Sequence, residues 1–96
     1  MVRKHGASAL EQVLKAERAF TLGKLGREVE AKLAALRDLE SAGTPEQRLA
    51  ATYDCADAVW RYFIQRETHG LSSHEPVIEY YRIPEAVLAK VGARPA

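Results

Sequence analysis

The stretch TPEQRLAATYDCADAVWRYFIQRETHG, residues 44–70, decides the fold. Thr44 stands three residues before Gln47, the spacing at which a threonine hydroxyl and a glutamine side chain each satisfy one of the unpaired N–H groups that open a helix. Pro45 falls at the first helical position, where its missing N–H costs nothing. His69-Gly70 closes the segment, with a histidine near the negative end of the helix dipole. At about 100° per residue, Leu49, Tyr53, Ala56, Val59, Trp60, Phe63 and Ile64 fall within an arc of roughly 140°, so the stretch predicts a helix with one core-facing stripe. Six of the seven aromatic residues lie between Tyr53 and Tyr81. This helix and the segment after it are therefore expected to hold the densest part of the core.

Upstream, Ser8 and Glu11 repeat the capping spacing and predict a first helix from Ser8 to about Ser41, with Gly43 as the left-handed residue that ends it. Its apolar stripe changes face. Leu10, Val13 and Phe20 centre on one azimuth, and Leu22, Leu25, Val29, Leu33 and Leu36 on another rotated by about 130°, with Leu14 and Leu39 between them. Gly23 and Gly26 sit at the change, and each costs about 1 kcal/mol relative to alanine in a helix interior. Two readings stand side by side: the helix bends or breaks there, or another backbone comes close along the small residues Ala16, Ala19, Gly23 and Gly26. Unbroken, about 34 residues would make a rod of about 51 Å, longer than the globule of about 34 Å expected for a chain of this size. The overhang and the two stripes together predict that one stripe packs inside the subunit and the other, Leu22, Leu25, Val29, Leu33 and Leu36, against a second copy. If the helix breaks instead, the chain closes as a monomeric bundle of five short helices.

Downstream, Ser72, Ser73 and Glu75 open a short third helix through about Tyr81, and Ile83-Pro84 restarts the chain for a last one from Glu85 to about Val91, closed by Gly92. Residues 1–7 and 93–96 read as frayed ends of one domain spanning 1–96. No run alternates with period two. The fold class is therefore all-α: a long helical hairpin plus two short C-terminal helices, completing its bundle by dimerisation.

Composition narrows the function classes. Fourteen Lys and Arg against thirteen Asp and Glu leave a net charge of +1 over 96 residues. That balance lacks the basic footprint that carries nonspecific nucleic-acid affinity. One cysteine, Cys55, cannot close an intramolecular disulfide. Neither a secretory apolar run nor about 18 consecutive apolar residues is present, which makes the cytoplasm the expected compartment.

Candidate chemistry is sparse. His69 and His74, with Glu67, Glu75 and Glu79 nearby, form the one cluster that resembles a metal site, but they lack the helical facing and third strong ligand of zinc sites, and no metal or cofactor is expected. Cys55 lies beside Asp54 and Asp57, whose charges are expected to raise its pKa and oppose thiolate formation. Glu67 continues the line of Leu49, Ala56 and Trp60, so if buried it needs Arg82, His69, His74 or a tyrosine as partner; otherwise the last turn projects into water. Glu67, His69, His74 and Tyr80 are thus a candidate polar junction. The last two helices have the outline of a helix-turn-helix, but the reading helix offers only Lys90 as a base, and Glu75 and Glu79 would face phosphate.

Trp60-Arg61-Tyr62-Phe63, Gln65-Arg66-Glu67, His69-Gly70-Leu71 and Tyr81-Arg82-Ile83-Pro84 through Val87-Leu88 to Gly92 resemble small bacterial helical proteins classed as a domain of unknown function. The resemblance covers roughly the second half of the chain. It implies a shared helical fold and carries no activity, cofactor or site residue.

With no catalytic motif, the expected function is that of a cytoplasmic protein-protein interaction module acting as a homodimer, not an enzyme. A small-ligand or metal-binding protein using the Glu67, His69, His74 and Tyr80 junction is the second reading, and a weak nucleic-acid binder using the C-terminal helix pair the third.

Overall fold

The computed structural model describes residues 2–93, with side chains from residue 9 onward. Met1 and residues 94–96, which the sequence reads as part of the frayed ends, lie outside the described residues. Among the described residues the chain forms four helices: α1 (Val2–Ala42), α2 (Pro45–Thr68), α3 (Glu75–Tyr81) and α4 (Glu85–Leu88). The long hairpin with short C-terminal helices is the architecture expected from the sequence.

The turn between α1 and α2 is built as its sequence dictates. The Gln47 N–H donates to Thr44 Oγ1 at 3.1 Å, and the Thr44 N–H donates to Gln47 Oε1 at 2.9 Å. Gly43 is needed for space, not for a left-handed backbone: its φ is not positive, but a Cβ there would lie 2.8 Å from Leu39 Cδ2. At the far end of α2, Gly70 does take a left-handed φ of 82°, with the Leu71 N–H donating to the Arg66 carbonyl and the Gly70 N–H to that of Glu67. This is the paired-bond arrangement that ends many helices.

α1 corrects four expectations. It starts at Val2, so Ser8 lies inside the helix rather than capping it, and residues 2–7 are helical. It neither breaks nor stops at Gly23 and Gly26. Gly26 serves close approach, but to a side chain rather than to a backbone: a Cβ there would lie 2.5 Å from the Tyr81 hydroxyl. Finally, the two stripes exchange roles. Val29, Leu33 and Leu36 are buried in the chain's own core, with Leu22 and Leu25 packed against it, whereas Leu10, Val13, Leu14 and Phe20 are exposed. The leucine-rich stripe cannot serve as an intermolecular surface, because α2 and the C-terminal segment already cover it.

α2 is sandwiched between α1 and α4. Its buried residues are Cys55, Ala56, Ala58, Val59, Tyr62 and Arg66, a face rotated by about 90° from the one predicted. Leu49, Trp60 and Ile64, assigned to the core from the sequence, are exposed. Small residues explain the rotation: Cys55 and Ala58 let α1 approach closely, and Val87 from α4 and Ile83 complete the cluster.

The short helices also differ in their limits. His74, not Ser72 or Ser73, precedes α3, and its side chain makes no capping hydrogen bond. α4 ends at Leu88 and continues to Gly92 only as turns.

The whole is a rod of 63 × 22 × 21 Å with a radius of gyration of 17.1 Å, against about 13 Å for a globule of this size. α1 accounts for the length, since 41 residues span about 61 Å. α2, at about 36 Å, flanks only its C-terminal part and leaves about 25 Å of α1 without an intramolecular partner.

The two glycines of α1 give opposite expected results. Gly23→Ala raises stability by about 1 kcal/mol, because the helix gains propensity and the new methyl meets only the mobile end of Arg27. Gly26→Ala lowers it, because the methyl displaces Tyr81, a stiff ring held edge-on between Tyr62 and Tyr80. Thermal melting of the two variants checks both signs.

Candidate functional site

The polar junction forms where α2 ends and the chain turns back into α3. Arg66 is buried on the α1-facing side of α2, and its Nη1 donates to the Ser73 carbonyl and to His74 Nδ1, both at 2.7 Å. A guanidinium only donates, so His74 Nδ1 accepts and the ring proton resides on Nε2. Nε2–H then donates to Glu67 Oε2 at 2.8 Å. The geometry thereby assigns one neutral tautomer, and both ring nitrogens are occupied. Phe63 stacks on the His74 ring with centroids 4.1 Å apart and planes 2° from parallel. Glu67 is exposed, so the last turn of α2 projects into water, and its carboxylate meets His74 there without the burial that would have required a partner.

Of the four residues grouped from the sequence, the structure brings together Glu67 and His74. His69 stands apart as the residue closing α2, 3.4 Å from Gln65 Nε2. Tyr80 lies on the opposite side of α3 and is 77% exposed. Sequence reasoning missed Arg66 and Phe63. The signal for Arg66 was its spacing, four residues after Tyr62 and seven after Val59, which continues the buried line. Its charge masked that position, because a long side chain can lay its stem along the core and still spend its head on hydrogen bonds.

The junction acts as a latch. It joins the end of α2 to the start of α3. Among the described residues no group of three His, Cys, Asp or Glu is placed to hold a metal ion. Cys55 is fully buried; burial pushes its thiol up to about 11, and Arg37 and Lys32 pull the other way. Asp54 and Asp57, expected to raise it, are exposed and are not the cause.

A separate open groove of about 620 Å³ runs between α1 and the end of α3, lined by Glu30, Leu33, Arg37, Tyr80, Tyr81 and Arg82. Arg37 Nη2 donates to the carbonyls of Tyr81 and Arg82, at 3.3 and 3.4 Å, at the negative end of α3. Burial, then the neighbouring Tyr62, raises the Tyr81 hydroxyl above its ordinary pKa, so it stays protonated.

The last helix is shorter than the sequence predicts. α4 has four residues, and Lys90 lies beyond it, 5.1 Å over the ring of Tyr53. Among the described residues no helix is long and apolar enough to cross a membrane.

A family model described as a family of unknown function (DUF6665) matches residues 1–96. No curated protein and no solved structure matches the chain.

Proposed function

We propose that this chain, which belongs to the family of unknown function DUF6665, is a cytoplasmic interaction module that acts as a homodimer through the N-terminal overhang of α1. One observation carries the reading: Leu10, Val13, Leu14 and Phe20 are 60%, 53%, 39% and 70% exposed on the N-terminal half of α1, most of it beyond the reach of α2. They occupy an arc of about 120°, the width of a helix face made for packing. The overhang holds its apolar stripe in water, and burying that stripe against a partner would stabilise it. A second copy is the economical one, because twofold symmetry brings an identical unpaired stripe to meet it.

The test is native mass by sedimentation equilibrium. The wild type is expected at twice the chain mass, and Val13→Glu with Phe20→Glu at the chain mass, with the hairpin's helical circular dichroism retained. A wild type that stays monomeric at all concentrations, or a variant that keeps the dimer mass, overturns the proposal.

A further inference from the structure

We infer that the groove between α1 and the end of α3 is a binding site for a small organic anion, an oxyanion head carried on a planar body. This goes beyond the interaction module and does not depend on it. Two independent observations point there.

The first is a pair of cations that, among the described residues, no carboxylate bridges. Arg37 and Arg82 line the same groove and are both exposed. Among the described residues Arg82's guanidinium makes no hydrogen bond or ion pair, and Arg37 uses only Nη2. Glu30 lines the groove as well but bridges neither. Free guanidinium donors facing a shared concavity match the paired oxygens of a carboxylate or phosphate.

The second is backbone strain at Arg82. α3 ends in the same paired-bond motif as α2, with the Ile83 N–H donating to the Ile78 carbonyl and the Arg82 N–H to that of Glu79. In α2 the left-handed position of that motif is Gly70; in α3 it is Arg82, with a φ of 53°. An arginine there is tolerated at a cost that glycine avoids, and its side chain lines the groove. The planar body follows from the walls: Tyr80 projects an exposed ring, set edge-on to the half-buried ring of Tyr81.

The test uses phenyl phosphate, benzoate, inorganic phosphate and benzyl alcohol as probes, followed by ¹H–¹⁵N NMR titration of the full chain. Saturable shifts at residues 80–82 and 37 are expected with phenyl phosphate or benzoate, and whichever of the two binds more tightly identifies the head group. Inorganic phosphate and benzyl alcohol are expected to bind at least about tenfold more weakly, each lacking one half of the ligand. Arg82→Gly is the deciding variant, because it relieves the strain while removing one cation. Its Tm is expected to rise by about 4 °C, and its affinity for the better probe to fall about tenfold or more. No saturable shift with either aromatic anion, or unchanged affinity in this well-folded variant, overturns the assignment.

Discussion

Leu33→Ala is expected to destabilise the chain by about 3 kcal/mol, the largest effect of any single aliphatic truncation considered for this fold. Leu33 is 1% exposed and is the largest of the fully buried side chains. It lies in one cluster with Val29, Leu36, Cys55 and Val59, so its removal leaves a cavity between two long helices joined by a tight turn. A loss of that size is a large fraction of the roughly 5–15 kcal/mol that holds a small domain together, and corresponds to a fall in Tm of at least about 12 °C. Urea unfolding measures it. The contrast is Leu10→Ala, the same chemical change on the exposed stripe, expected to leave the stability of the monomer within about 0.5 kcal/mol. Val29→Glu with Leu33→Glu sharpens the point. Had that stripe been an intermolecular surface, the pair would leave a helical monomer; with the stripe buried in its own hairpin, the pair unfolds the chain. Equal costs for Leu33→Ala and Leu10→Ala would contradict the placement of the core.

Arg66→Ala is expected to cost about 3 kcal/mol, by a different mechanism. Truncation removes two charge-assisted hydrogen bonds, to the Ser73 carbonyl and to His74 Nδ1, and leaves both acceptors without their donor. It also removes the guanidinium lying 6.0 Å from the Tyr62 ring. His74 then loses the contact that assigns its tautomer. The loss is therefore expected to reach α3 as well as α2, with the His74 ring resonances shifting and amide protection falling over residues 75–81. Arg66→Lys restores the charge without the forked donors and is expected to recover less than half of the loss. If Arg66→Ala melts with the wild type, the latch contributes nothing.

The two predictions mark where the sequence was informative and where it was not. Local signals held around α2, where Thr44, Pro45 and Gln47 form the cap their spacing predicts and Gly70 takes a left-handed backbone, but not at Ser8, Gly43 or Ser72, whose capping roles the structure does not use. Which face of each helix turns inward is a tertiary matter. On α1, both stripes are apolar, and periodicity cannot say which of them α2 covers. On α2, an unusually wide apolar arc has α1 on one side and α4 on the other, so the centre of the arc was not the centre of the core. Cys55 and Ala58 are inside because small residues permit close packing, and Tyr62 lies on the same face against Tyr81 and Gly26, although Leu49, Trp60 and Ile64 are the more hydrophobic residues. Gly26 was legible as either a bend or a close approach; only the position of Tyr81 separates them.

The candidate site was half legible for the same reason. Glu67 and His74 are seven residues apart and meet because the chain reverses at Gly70, a turn that the sequence announces. Tyr80 shares a helix with no part of that contact surface and faces the groove instead. Arg66 escaped notice because its charge classed it with the solvated residues, yet among the described residues it is the one charged side chain that is buried.

Hydrogen–deuterium exchange over residues 9–20 tests the central claim most directly, since these residues carry the exposed stripe and lie in the part of α1 beyond the reach of α2. At concentrations where the chain is dimeric, their amides are expected to be protected to a degree approaching residues 27–40. Val13→Glu with Phe20→Glu is expected to abolish that protection and leave residues 27–40 unchanged. Equal exchange in wild type and variant would contradict the account, because the overhang would then owe nothing to a second copy.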